Sequence, residues 1–451
     1  MTALDYLRQL DRTIRAPRSA FSKHSDLYLV TAIFFLIGFW LHIPYGGGHI
    51  ASDIPTVFQG RECGGACLTV PYVSGFVEYP VIVSEFVYVM GAISEVLPGS
   101  ILTNYYGLSV AFLAIPTFLL VRETLKIAEM RGYSDRRVLA YLVATPTFLF
   151  MLLLNWYVIG VYFATFGLRK FLQDDSKMSG ILFGLSAASN LVTAAPAMGI
   201  FLSAKGVRDR AVFVVSALAC YGAINLPFII VNPSLWLSFW QFHTNWYIEG
   251  SWMLAFLPSF SPLRHYIFPA LVLSLFAVIS WISLKKTKDV VTLAWLSTFA
   301  FLFSTYVFTP QMNLMLLPFF AITPIVKTYR EFLAFDIINS LFIVLGFSQI
   351  LLIFGITYHF DVASYLAPVR WLAIARSIWL GKMLLFDGLL PGINWRRGIR
   401  PKILTSARMR GAGFVSPCKG VNRILRRRRQ LAITKTSVRC RQVYRTQSPK
   451  K

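Results

Sequence analysis

Of 451 residues, 56% are hydrophobic and 14% charged, and the mean hydropathy is +0.59. A soluble domain of this length needs many more charges to cover its surface, so that class is excluded. The net charge of +24 is unevenly placed: 391–451 holds 18 Lys and Arg and no acid, densest at Arg426–Arg429.

The N-terminal segment 1–26 is basic. The apolar run after it, Leu27–Tyr45, is too long for the apolar core of a cleaved signal and reads as a first span. A long loop, 46–100, follows. Within it Val81–Leu97 is apolar but carries Glu85 and Glu95, and reads as an amphipathic helix lying in the membrane interface. Further spans are expected at Ile101–Val121, Val138–Leu154, Trp156–Leu168, Met178–Asn190, Leu191–Ala204 and Ala211–Val231. The series continues with Tyr266–Leu284, Val290–Phe308, Gln311–Val326, Ile337–Ile356 and Val362–Leu380, the last carrying Arg370 and Arg376. Runs of this length suit helices crossing hydrocarbon, whose backbone lipid cannot satisfy. The alternation of a membrane barrel is absent. The expected fold is an all-α, polytopic transmembrane helical bundle of eleven or twelve spans over 27–380, with a basic cytoplasmic tail, 381–451.

Laying Val81–Leu97 in the interface puts Arg8–Lys23, Arg122–Arg137, Arg169–Lys177, Lys205–Arg210, Lys285–Lys288 and Lys327–Arg330 on the side of the tail. That side is the cytoplasm by the positive-inside bias. An anionic leaflet is then the tail's nearest partner, ahead of nucleic acid. Cys63 and Cys67 could pair if their loop faces an oxidising compartment. No paired C-x-x-C, H-E-x-x-H or phosphate-loop motif occurs, so no metal or cofactor is implied.

The outer side collects the polar features. Asp53, in Ser52-Asp53-Ile54-Pro55, could be a general base on a hydroxyl or a helix-start residue. Glu78-Tyr79-Pro80 could assist it and stack on a sugar ring, or simply open the amphipathic helix. Asn155 and Trp156 form a short outer turn. Trp240–Ser251 interleaves aromatics with His243, Asn245 and Glu249, as either a sugar-binding surface or an interfacial aromatic belt. Arg264 is one of two basic residues clearly outside, with Arg61. Thr309-Pro310-Gln311, ahead of Leu317-Pro318, sets an amide at a hairpin mouth.

In this order the segments resemble the GT-C superfamily of membrane glycosyltransferases, and within it the polyprenyl-phosphate-mannose-dependent mannosyltransferases. Those enzymes carry an acid where Asp53 stands and a Tyr-Pro element where Tyr79-Pro80 stands. They have an Asn-Pro span and short outer loop like Thr145-Pro146 with Asn155-Trp156, and a Ser-Gln-Tyr and Leu-Leu-Pro hairpin like Thr309–Pro318. Three departures stand out: Pro55 where relatives have the second acid of D-x-D, no Lys before Pro196, and no Arg after His243. The resemblance implies an inverting transfer of a sugar, mannose first, from a polyprenyl (dolichyl) phosphate donor to a glycan, lipid or protein hydroxyl. Asp53 and Glu78 would be catalytic, with Tyr79, Asn155, His243, Arg264, Thr309 and Gln311 binding substrate. His243 and Arg264 would meet the phosphate charge. The rival expectation is a transporter or flippase of a lipid-linked sugar. Outer loops without an Asn-x-Ser/Thr acceptor point to a prokaryotic plasma membrane rather than the endoplasmic reticulum.

Overall fold

Helix signals punctuate the chain at the points where the computed structural model turns. It describes residues 24–44, 50–60, 69–75, 78–287, 289–347 and 367–390. Most of the N-terminal segment, most of the tail, Cys63, Cys67, Arg61 and parts of the last two expected spans lie outside them. The chain divides into Met1–Arg397, which holds every described residue, and Gly398–Lys451.

All regular structure among the described residues is helical, apart from two isolated bridges, Pro71–Gly75 and Glu249–Val307. Helix α1, His24–His42, leads to the short α2, Asp53–Gly60. Pro80 precedes α3, Val81–Val96, which coincides with the expected amphipathic segment. It buries Val83, Val87 and Met90 and exposes Val89, Ile93 and Val96. Ser100 caps α4, Ile101–Met130, which passes through Pro116 unbroken.

The next apolar run is divided. Asp135–Val138 (α5) continues as a π-turn to Val143, and Thr145 then caps α6, Pro146–Met151. Proline fits the first turn of a helix, where its missing N–H costs nothing, so Pro146 starts an element inside the expected span Val138–Leu154. Pro196 and Pro318 divide Leu191–Ala204 and Gln311–Val326 in the same way: each run becomes a 3-10 turn followed by a short helix, α9 (Pro196–Ser203) and α14 (Leu317–Ile322).

Between α6 and α9, α7, Tyr157–Leu172, and α8, Ser176–Ser189, form a hairpin. α8 approaches α10, Val207–Val231, closely through Gly180 and Gly184. A β-carbon on Gly180 would lie 2.3 Å from the Phe213 carbonyl oxygen, and one on Gly184 2.6 Å from that of Ala217. This small-xxx-small spacing lets two backbones meet without side chains between them. The chain continues through α11 (Pro233–Asn245), α12 (Arg264–Lys285), α13 (Val290–Ser304), α15 (Tyr329–Phe347) and α16 (Pro368–Lys382). α16 runs on as a π-turn to Leu389, so helix extends past the expected boundary at 380.

Four of these helices, α1, α4, α10 and α12, are long and apolar enough to cross a membrane. Of the other expected spans, those within the described residues are shorter or divided, and the last two are described only in part.

The basic loops meet one another. Arg131 binds Asp289 at 2.9 Å, Lys205 binds Asp174 at 2.8 Å, and Arg169 pairs with the fully buried Glu123. Arg137 donates to the Phe320 and Thr323 carbonyls at 2.8 Å and to that of Ala321 at 2.9 Å. Each helix that leaves this basic end carries the chain away from it, and the polar segments gather where those helices finish.

Candidate functional site

A cavity of about 550 Å³ opens among the loops that follow α1, α6, α8, α11 and α13. Pockets of this size suit a small organic ligand. Asp53, Glu78, Tyr79, Asn155, His243, Thr309 and Gln311 all line it.

Asp53 is placed by its neighbours. The Ser52 hydroxyl accepts from the Ile54 N–H at 3.2 Å and donates to the Leu153 carbonyl at 2.9 Å. The Asp53 N–H donates to the Leu154 carbonyl at 2.7 Å. Ser52 is therefore the residue that caps α2, and Asp53 is its first helical residue, with its side chain on the cavity wall. The Tyr79 hydroxyl donates to Asp53 Oδ2 at 3.5 Å, while its ring meets Trp156 edge-on, with centroids 4.8 Å apart. Tyr79 is thus a partner of the acid as well as an aromatic wall. Its carbonyl accepts from Ser84 at 2.6 Å and from the Tyr72 hydroxyl, which fixes the start of α3.

Asn155 accepts from the Tyr157 N–H at 3.0 Å and so starts α7 from the cavity floor. His243, near the end of α11, bonds through Nδ1 to the Phe239 carbonyl at 2.9 Å and packs its ring against Phe239 and Phe242. A carbonyl only accepts, so Nδ1 carries the proton. Burial pushes the His243 imidazole below its ordinary range, against the opposing pull of Glu78. The neutral ring then keeps an unprotonated Nε2, an acceptor and not a cation.

Arg264 is not among the lining residues. Its guanidinium donates to the carbonyls of Phe260 at 3.0 Å and Ser261 at 2.8 Å, and lies over Tyr306. It closes the loop before α12. The phosphate charge expected to rest on His243 and Arg264 thus meets a neutral ring and a guanidinium committed to backbone.

No family model, curated protein or solved structure matches the chain.

Three lining residues stand out beyond those the resemblance assigns as catalytic or substrate-binding. Glu249 is a third carboxylate on the wall, and Tyr157 and Asn190, which hydrogen-bond through their side chains, are further polar groups. Glu249 had a signal in the sequence, since it is the one acid between Asn232 and Pro262. Among the described lining residues there is no Lys or Arg. The Trp240 indole N–H and the Thr309 hydroxyl are buried without a hydrogen-bond partner among the described residues, and both line the cavity. Among those residues no three His, Cys, Asp or Glu side chains form a group able to hold a metal ion.

Proposed function

We propose that the chain is a multi-pass membrane protein and an inverting glycosyltransferase, moving a sugar from a polyprenyl-phosphate donor to a hydroxyl acceptor at the face opposite its basic loops. The membrane part draws support from α10 and α12. Only 6% of the most apolar stretch of α10 is buried, and 17% of that of α12. Helices this apolar and this bare call for a hydrocarbon surround. α3 then lies in the interface with Val89, Ile93 and Val96 on its exposed side, and burial pushes the Glu85 carboxyl above its ordinary range.

The observation that carries the enzymatic part is the meeting of five distant segments in one cavity. Asp53, Glu78-Tyr79, Asn155, His243 and Thr309–Gln311 converge there in the company of aromatic rings. In the reaction, Asp53 takes the proton of the acceptor hydroxyl as that oxygen bonds to the anomeric carbon. The bond from that carbon to the phosphate oxygen breaks, and its electron pair leaves with the lipid phosphate. Tyr79 orients the Asp53 carboxylate. The described wall, with three acids and no base stronger than His243, suits the sugar and acceptor hydroxyls, while cationic partners for the phosphate are not among it.

A second reading, a carrier for a lipid-linked sugar, draws on two buried ionisable groups, Asp336 of α15, which accepts from the Thr147 N–H, and Arg376 of α16.

Membranes carrying the chain are expected to move label from polyprenyl-phosphate mannose into a new product. Label that stays wholly in the donor, at matched protein level, counts against the proposal. Orientation is tested separately in a background with the native cysteines replaced by serine. Ser100→Cys and Lys177→Cys are both exposed positions. An impermeant thiol reagent applied from outside should label the first and spare the second; equal labelling overturns the topology.

A further inference from the structure

Glu249 is held on the cavity wall by its side chain and by its backbone. Its Oε2 accepts from the Trp246 indole N–H at 2.8 Å. Its own N–H donates to the Tyr306 carbonyl at 2.9 Å, and its carbonyl accepts from the Phe308 N–H at 2.7 Å. Gly250 follows at φ +63°, where a β-carbon would stand 2.2 Å from the Phe308 carbonyl oxygen, so only glycine fits the turn.

Behind this turn lies Arg376, fully buried. It donates to the Gly250 carbonyl at 2.8 Å, to Asn339 Oδ1 at 2.7 Å, and to the Phe308 carbonyl. Ser377 adds a bond to the same Gly250 oxygen at 3.2 Å. Asn339 in turn donates to the Pro310 carbonyl at 3.1 Å and to Thr147 at 2.9 Å. Through the Gly250 and Phe308 carbonyls Arg376 fixes the turn that carries Glu249 on the cavity wall.

Nearby groups complete a chemical pattern. Trp240 and Thr309 bring donors with no partner, and aromatic faces surround them. An ionised carboxylate repels a phosphate or a uronate, and accepts two or more hydroxyl hydrogens well. Aromatic faces take the C–H side of a pyranose. We propose that Glu249, oriented by Trp246 and positioned by Arg376, binds the hydroxyl groups of an uncharged hexose ring, with Trp240 and Thr309 as the complementary donors. This deepens the glycosyl-transfer reading and rests on it for the kind of ring.

The test uses the purified full-length protein in lipid nanodiscs and follows indole fluorescence as methyl α-mannoside is added. The wild-type protein should bind it saturably and bind the anionic methyl mannuronate far more weakly. Glu249→Gln should lose about tenfold or more in methyl mannoside affinity, the effect of one hydrogen bond to a charged group. It should also narrow the gap between the neutral and anionic sugars, which a merely structural role would not do. Unchanged affinity, or an unchanged gap, overturns the proposal. Should Glu249→Gln fail to fold, Trp246→Phe keeps the charge and removes the orienting N–H; a severalfold loss is expected there, and wild-type affinity overturns the proposal. These titrations need no turnover. Absent transfer with Glu249-dependent binding removes only the enzymatic reading, and intact transfer with Glu249-independent binding removes only this one.

Discussion

Asp53→Asn is expected to lower sugar transfer by about 10²–10⁴ while leaving the protein folded and inserted. The carboxamide keeps the size of the side chain and an oxygen that can accept from the Tyr79 hydroxyl, which stands 3.5 Å from Oδ2. It cannot take a proton. The helix start does not depend on the Asp53 side chain, because the Ser52 hydroxyl accepts from the Ile54 N–H and anchors to the Leu153 carbonyl. The substitution therefore isolates base chemistry from folding. Turnover in membranes at matched protein level reads the result. Near-wild-type activity would shift the base role to Glu78 on the same wall.

Arg376→Met is expected to have the largest effect on stability. It strips a hydrogen bond from the carbonyls of Gly250 and Phe308 and from Asn339 Oδ1, all inside the protein. A buried acceptor left without a partner costs about 1–3 kcal/mol, and relief of the guanidinium's own desolvation offsets part of the sum. A net loss of roughly 2–4 kcal/mol is a large share of the 5–15 kcal/mol typical of folded domains. In a chain of this length the unfolding midpoint should fall by about 5 °C, read by thermal scanning in nanodiscs. Methyl mannoside affinity should fall with it, and Arg376→Lys should restore part of both. An unchanged midpoint and affinity would contradict the role given to Arg376.

The legible parts of the fold were those in which one apolar run made one helix. α1, α4, α10 and α12 coincide with expected spans, and α3 with the amphipathic segment that begins after Pro80. Hydropathy is blind to breaks inside an apolar run. Thr145 capping Pro146 and Asn190 capping a 3-10 turn before Pro196 restart the helix without adding charge, so the runs looked continuous. In the site, residues flanked by turn-forming neighbours were readable in the sequence: Asp53 after Ser52, Tyr79 before Pro80, and Gln311 after Pro310. Arg264 does not line the cavity, since charge alone does not reveal direction and its donors turn back to Phe260 and Ser261. Glu249 was legible only as one member of the segment Trp240–Ser251, and the grip of Arg376 on the next residue is a contact across 126 positions that no local pattern carries.

The central claim, chemistry at the cavity rather than passage through the membrane, is tested most directly in reconstituted vesicles. The purified protein is placed in liposomes with polyprenyl-phosphate mannose, labelled separately in the sugar and in the lipid, and with membrane lipid and glycan extract as acceptors. The account predicts that labelled sugar leaves the donor for an acceptor, that polyprenyl phosphate is released one for one, and that Asp53→Asn abolishes both. Intact donor appearing in the opposite leaflet, with no polyprenyl phosphate released, would contradict it.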